Sequence, residues 1–327
     1  MANAPSWIYS FGSSAVAAPT LASLNFSQAD IAGGGQSLVA TGTNCTGVTA
    51  VNVWGTTVTP SSTTATTVTF AAPAHAAGVT TASLTGPGGT SGTLAFESWS
   101  PVQMTGIGGS YDASKGASAS SWADQSATAG AAAQATAANQ PTVTASSFGG
   151  LPGVTFAAGK GLTLTTRRAQ AAGRSVFFVG KWTAVTSAPV AYVGNPPLTV
   201  VGDTSGSVAG GVGASAGAVH YSDANVTANS ASRGAGYNDG NPRLVGWTHS
   251  NATNLATAYL GASTVGATAP IFTYASWGWD SIGNGYNTTS ADNFIGTLGA
   301  VIVLDQVATG GDITKLNAWS QQRFGTP

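Results

Sequence analysis

Short runs in which small polar and apolar residues alternate, each closed by glycine, proline or asparagine, recur along this chain. QSLVATGTN (36–44), VTAVNVWG (48–55), TTVTFAAP (66–73) and TTASLTGPGGTSGTLAFESW (80–99) come first. Later come LPGVTFAAG (151–159), GLTLTT (161–166), RSVFFVGKW (174–182), PRLVGWTHS (242–250), ATAYLGAS (256–263) and GTLGAVIVLD (296–305). A period of two with glycine-rich punctuation commits a chain to antiparallel sheets stacked on each other. At 327 residues there is length for about two such modules. Pro101, in SWSPVQM, breaks the first series and marks the expected boundary: an arm over 1–17, a first sandwich over 18–100 and a second over 101–327.

Charge narrows the function classes. Charged residues are 6% of the chain and the net charge is −1, against about 25% charged in an average globular protein. No basic stripe exists to neutralise a row of phosphates and no polybasic segment to hold an anionic membrane, so neither nucleic acid nor membrane is an expected partner. The aromatic and Val-Thr content suffices for packed sheets and argues against disorder. Cys45 is the sole cysteine; no intrachain disulfide can form, and a small buried thiol is its expected role. The N-terminal MANAPSWIYS carries no basic and apolar signal pattern, and no run of about 18 apolar residues occurs. A Thr/Ser/Gly-rich exterior without an export signal is what a virus particle freed by lysis would expose. Asn-X-Ser/Thr triplets at Asn25, Asn44, Asn225, Asn251 and Asn287 are accounted for by composition.

Three segments depart from the strand pattern. In MANAPSWIYSFGSSAVA (1–17), Trp7, Ile8, Tyr9 and Phe11 either pack on their own module or dock on a neighbouring subunit, as a particle-docking arm would. GGDITKLNAWSQQRFG (310–325) reads as a helix capped by Asp312, with Ile313, Leu316 and Trp319 inward and Gly325 as its stop. SGSVAGGVGASAGAV (205–219) reads as a loop or weak edge strand, its valine spacing leaving room for a buried strand.

The first module resembles the IPT/TIG immunoglobulin-like domains. The likeness rests on Pro19, AGGGQSLVATGTN, VNVWG, the passage VTFAAPAHAAGVTTASLTGPGG with Pro73 and Gly78, and Phe96. It implies a spacer or adhesion module and no chemistry. The second module resembles the concanavalin A-like lectin/glucanase superfamily in its laminin-G-like form. YDASKGASASSWADQSATAG (111–130), QPTV, LPGVTFAAGKGLTL and IGTLGAVIVLD with the helix after it carry that likeness. It implies a jelly roll of two curved sheets. The expected fold is therefore all-β, an immunoglobulin-like sandwich followed by a jelly-roll sandwich with a short C-terminal helix.

Hydrolysis by that superfamily's glucanases uses paired glutamates. Glu97 is the sole glutamate and lies in the first module. Asp112 and Asp124 sit in Ser/Ala/Gly-rich turn sequence, where an aspartate commonly bonds local backbone. Asp112 is thus expected to form a strand-end turn, Trp122 to anchor the core, and Asp124-Gln125-Ser126 to hold the next loop. No catalytic residue is assigned. His75, His220 and His249 are far apart, with no Cys-x-x-Cys or metal-spaced histidine pair. Laminin-G-like domains often hold calcium, for which Asp280, Asn284 and Asp292 are weak oxygen ligands without a fixed loop signature; no other cofactor is expected. In YASWGWDSIGNGY (274–286), Trp277 and Trp279 share strand parity and Tyr286 follows after a loop. With Asp280 and Asn284 they could stack and bond a sugar; alternate tryptophans filling the core are the preferred alternative.

The expectation is a non-enzymatic structural protein on the exterior of a tailed-phage particle, a capsid decoration or a head or tail fibre component. Its partners would be capsid or tail proteins, cell-surface glycans and further copies of itself in a symmetric oligomer. The competing expectation is a bacterial surface or secreted carbohydrate-binding module.

Overall fold

The computed structural model describes residues 15–26, 28–30, 34–170, 173–182, 199–202, 210–215, 218–223, 230–233, 239–268, 277–283 and 294–327. The chain divides into two compact units, Met1–Trp99 and Ser100–Pro327.

In the first unit the alternating runs form β1 (Ser37–Thr41), β2 (Ala50–Val53), β3 (Thr56–Val58), β4 (Thr67–Ala71), β5 (Gly78–Gly86) and β6 (Leu94–Ser98). One sheet runs Ser23–Leu24, β1, β4, Ser62–Thr63; the other runs Gln28–Ala29, β6, β5, β2, β3. Alternation sends Leu38, Ala40, Val68 and Phe70 of the first sheet against Val51, Val53, Leu84 and Phe96 of the second, with Cys45 buried among them. Burial pushes the Cys45 thiol pKa up. Trp54 and Gly55 turn the β2–β3 hairpin with φ of 53° and 76°, the left-handed pair that a two-residue hairpin loop demands. A tryptophan there is strained, and its packing offsets the cost: the indole stacks on His75 at 5.0 Å and meets the edge of Phe96 at 4.9 Å.

The second unit is built from β7 (Ile107–Asp112), β8 (Thr142–Phe148), β9 (Leu151–Phe156), β10 (Leu162–Gln170), β11 (Gly173–Lys181), β12 (Thr199–Gly202), β13 (Gly210–Ser215), β14 (Ala218–Asp223) and β15 (Ser230–Arg233). Then follow β16 (Arg243–Ser250), β17 (Leu255–Leu260), β18 (Ser263–Thr268), β19 (Trp277–Ile282), β20 (Gly296–Leu304) and the helix α1 (Gly310–Phe324). One sheet has the order β8-β9-β20-β11-β16-β17-β18, with β7 also on β20. The other runs Ser121–Trp122, Ala132–Ala133, β10, β19, β12, β13, β14, β15. Along one edge of β20, residues 296–298 pair with β9 and residues 300–304 with β7. The other edge pairs with β11, through a register shift opposite Val179/Gly180.

The core lies between the two sheets. Val154, Phe156, Val176, Phe178, Trp247, Val301 and Val303 come from one, and Leu162, Leu164, Trp279 and Ile282 from the other. In β11 and β20 the intervening residues Phe177, Val179, Ala300, Ile302 and Leu304 are buried too, which is why these strands read as unbroken apolar runs. Helix α1 buries Ile313, Leu316, Trp319 and Phe324. Phe324 stands edge-on to Phe148 at 5.6 Å.

The all-β expectation holds, with two corrections of detail. The helix is capped by Thr309 and not by Asp312. Asp312 is the third helical residue, whose N–H donates to Thr309 Oγ1 (3.1 Å) while its carboxylate accepts from the Thr309 N–H (3.1 Å), a reciprocal capping box. Gly325 ends the helix at φ 67°. Within the Gly/Ala-rich stretch, residues 210–215 form neither a loop nor an edge strand: β13 pairs on both sides, with β12 and β14, an internal strand such as the valine spacing left room for.

Candidate binding cleft

The aspartates of 111–130 are built into the scaffold. Asp112 ends β7, where its Oδ1 accepts from the Ser114 N–H (2.9 Å) and hydroxyl (2.7 Å), turning the chain. Its Oδ2 accepts from Arg323 Nε of α1 at 2.7 Å, an ion pair whose side chains are 13% and 6% exposed, so the helix is tied to the strand end. Asp124 accepts the N–H groups of Ser110 (2.9 Å), Ser126 (2.9 Å), Thr128 (2.9 Å), Ala129 (2.8 Å) and Gly130 (3.2 Å), and the Ser126 hydroxyl. Burial pushes the Asp124 carboxyl pKa up, but the bonds from Ser110, Ser126 and Ala129 outweigh it and hold it below the usual value. Gln125 bridges the Asp112 N–H (2.7 Å) and the Lys115 carbonyl (2.7 Å). Trp122 is fully buried, edge-on to Tyr111 at 6.0 Å. The Tyr111 hydroxyl donates to the Gly130 carbonyl (2.7 Å), and burial, then the Asp124 charge, pushes its pKa far up, while Arg168 draws it back. Strand-end turn, core anchor and loop holder are the roles read for Asp112, Trp122 and Asp124.

The aromatic candidate fares differently. Trp279 is 0% exposed, in the core and edge-on to Tyr111 at 6.1 Å. This removes Trp279 from the sugar-platform candidates and agrees with the preferred core-filling alternative: parity paired it with Trp277 but did not say which face of β19 was outside. The backbone of Trp277 pairs with Gln170; its side chain lies outside the described residues, as do Asn284, Tyr286 and Asp292. Asp280 is buried. The arm residues Trp7, Ile8, Tyr9 and Phe11 also lie outside the described residues. Of the histidines, His249 is buried on β16 with Nε2 3.4 Å from Asn254 Oδ1, and His75 belongs to the first unit. Among the described residues no three His, Cys, Asp or Glu side chains gather as a metal site.

What the geometry does bring together is a cleft of about 320 Å³ at the ends of β9, β11 and β20. It is lined by Thr155 and Phe156 of β9, Lys181 and Trp182 at the end of β11, Gly240, and Ile295–Thr297 at the start of β20. Alternation makes it: Val154 and Phe156 face the core, so Thr155 between them faces out; Leu298 faces the core, so Thr297 faces out. Register aligns the row, with Thr155 opposite Thr297 and Thr297 opposite Lys181. Thr155 Oγ1 lies 3.2 Å from Thr144 Oγ1 and 3.0 Å from Thr297 Oγ1. Two mutual bonds among three hydroxyls leave one O–H donor and several lone pairs for a ligand.

The floor is fixed by close packing. A Cβ on Gly296 would sit 2.7 Å from the Lys181 carbonyl and 2.9 Å from Trp182 Cβ, so only glycine lets β20 start here. Trp182 packs on Phe178 (6.1 Å) and Phe294 (6.2 Å), and its carbonyl accepts the Gly240 N–H at 3.1 Å. Lys181 donates to the Ser147 carbonyl (2.5 Å), with Nζ 5.3 Å from the Phe148 ring centroid. Sequence reading missed this cleft. The available signal was the outward parity of threonines in LPGVTF and GTL, beside one of only ten cationic residues.

The sequence matches no protein-family model and no curated protein. Among solved structures, the chain is similar to domain 4 of AbnA, a GH43 extracellular arabinanase from Geobacillus stearothermophilus, in complex with arabinotriose. Identity there is 10% and the TM-score 0.46, over 66% of this chain and 100% of that one. The binding domain of Paraclostridial Mosquitocidal Protein 1 gives 7% identity and a TM-score of 0.45, over 67% of this chain and 52% of that one. The CBM40 of Ruminococcus gnavus IT-sialidase, bound to α2,3 sialyllactose, gives 12% and 0.38, over 50% and 96%.

Proposed function

We propose that the second unit binds carbohydrate without transforming it, through the cleft at the ends of β9, β11 and β20. The observation that carries this reading is the cleft's chemistry: linked threonine hydroxyls and a lysine ammonium beside apolar walls, around about 320 Å³. That volume is at the small end for ligand sites, and few polar groups on an apolar lining is their usual make-up. Asp112 and Asp124 give no support to hydrolysis, since both are bonded into turns and, for Asp112, to the helix.

Screening the full chain and Thr297→Val on a glycan array tests it. The wild type is expected to hold a subset of glycans, release no reducing ends from them, and lose most of the signal in Thr297→Val at unchanged melting temperature. No retained glycan, or undiminished retention by Thr297→Val, overturns the assignment.

A second reading, favoured by a chain only 6% charged, makes the protein outer cladding of a tailed-phage particle. Co-sedimentation with particles, lost on deleting residues 1–12, is its expected result; free protein at the top of the gradient counts against it.

A further inference from the structure

We propose that the cleft selects negatively charged sugars and that Lys181 is its specificity-determining residue. This rests on the carbohydrate reading of the same cleft. Among the described residues, ion pairs join Arg168 to Asp305, Arg243 to Asp239 and Arg323 to Asp112; Lys181 takes part in none. Its two contacts orient the ammonium without cancelling its charge. The Ser147 carbonyl takes one N–H at 2.5 Å and the Phe148 ring stands 5.3 Å away, which leaves two N–H donors.

Among the described residues, no carboxylate lines the cleft. Asp239, next to Gly240 in the chain, is already answered by Arg243 Nη2 (2.5 Å), the Asn241 N–H (3.0 Å) and Asn241 Nδ2 (2.8 Å). A half-buried, oriented cation beside linked hydroxyls is complementary to a ring that carries both hydroxyls and an anionic group. An uncharged sugar leaves that ammonium with no counter-charge in the cleft. Carboxylate and sulfate supply the same charge and acceptor oxygens, so the ligand class is an anionic sugar and the two sources are separated by experiment.

Full-length protein is measured on immobilised polygalacturonate and its carboxyl-reduced form, and on dextran sulfate and dextran, for the wild type, Lys181→Met and Lys181→Arg. The wild type is expected to hold at least one charged member roughly tenfold more tightly than its neutral partner at low salt. The gap should close in Lys181→Met, survive in Lys181→Arg and shrink with added salt. The pair showing the gap identifies carboxylate or sulfate. Equal binding of charged and neutral partners, or a gap that persists in a folded Lys181→Met, overturns the proposal; in the first case neutral sugar binding stands. Retention of none of the four overturns it as well, and the glycan array then decides whether the carbohydrate reading falls too.

Discussion

Asp124 accepts hydrogen bonds from five residues of its own unit, whereas Lys181, at the cleft, gives one to a carbonyl and meets no carboxylate among the described residues. Both are charged groups held by short contacts in one small-residue framework. The first is answered from every side, so its charge works inward, pinning a loop and a strand end. The second keeps donors and charge in reserve, which is what recognition of another molecule needs. A charged side chain in such a charge-poor chain is therefore informative through what it leaves unused.

That contrast can be broken by mutation. The largest effect is expected for Asp124→Ala, which strips an acceptor from five backbone N–H groups and should cost about 3 kcal/mol by denaturant titration. Arg323→Met comes next, at about 2 kcal/mol: Asp112 loses its counter-charge in a mostly buried site but keeps Ser114. Acid acts more gently than deletion. Because the folded pKa of Asp124 lies below its unfolded value, near 3.9, its stabilisation is complete above about pH 4 and is lost as pH falls through the depressed value. The denaturation midpoint should fall as pH drops below about 4, and fall less in Asp124→Asn. Smallest of all, Lys181→Met and Thr297→Val should change stability by less than about 1 kcal/mol; a larger loss would place the cleft among the scaffold and erase the distinction.

Much of this architecture could be read before any coordinates. Alternation named the strands, and the 3.6-residue spacing of Ile313, Leu316 and Trp319 named the helix. Asp112, Trp122 and Asp124 were readable as structural because their neighbours are turn formers. Parity could not say that Trp279 points inward, since face assignment depends on which neighbour sheet lies where. For 205–219 the sequence left loop, edge strand and buried strand open, because glycine and alanine carry little side-chain pattern, and only the pairing of β13 on both sides decides among them for 210–215. The cleft was illegible for a third reason: Thr155, Lys181 and Thr297 meet only through the pairing of β9, β20 and β11, and long-range register is not written in any one segment.

The sharing of β20 between β7, β9 and β11 also governs how this unit comes into being. Residues 107–112, 151–156 and 173–181 all find their shared partner only in 296–304, so during synthesis they emerge long before the strand that joins them. Such distant pairing makes for slow closure and a waiting period with open edges. A ribosome stalled ahead of residue 296 would hold the β8–β9 hairpin and the β11–β16–β17–β18 meander as separate pieces with open edges, and it is there that helper proteins should be needed most.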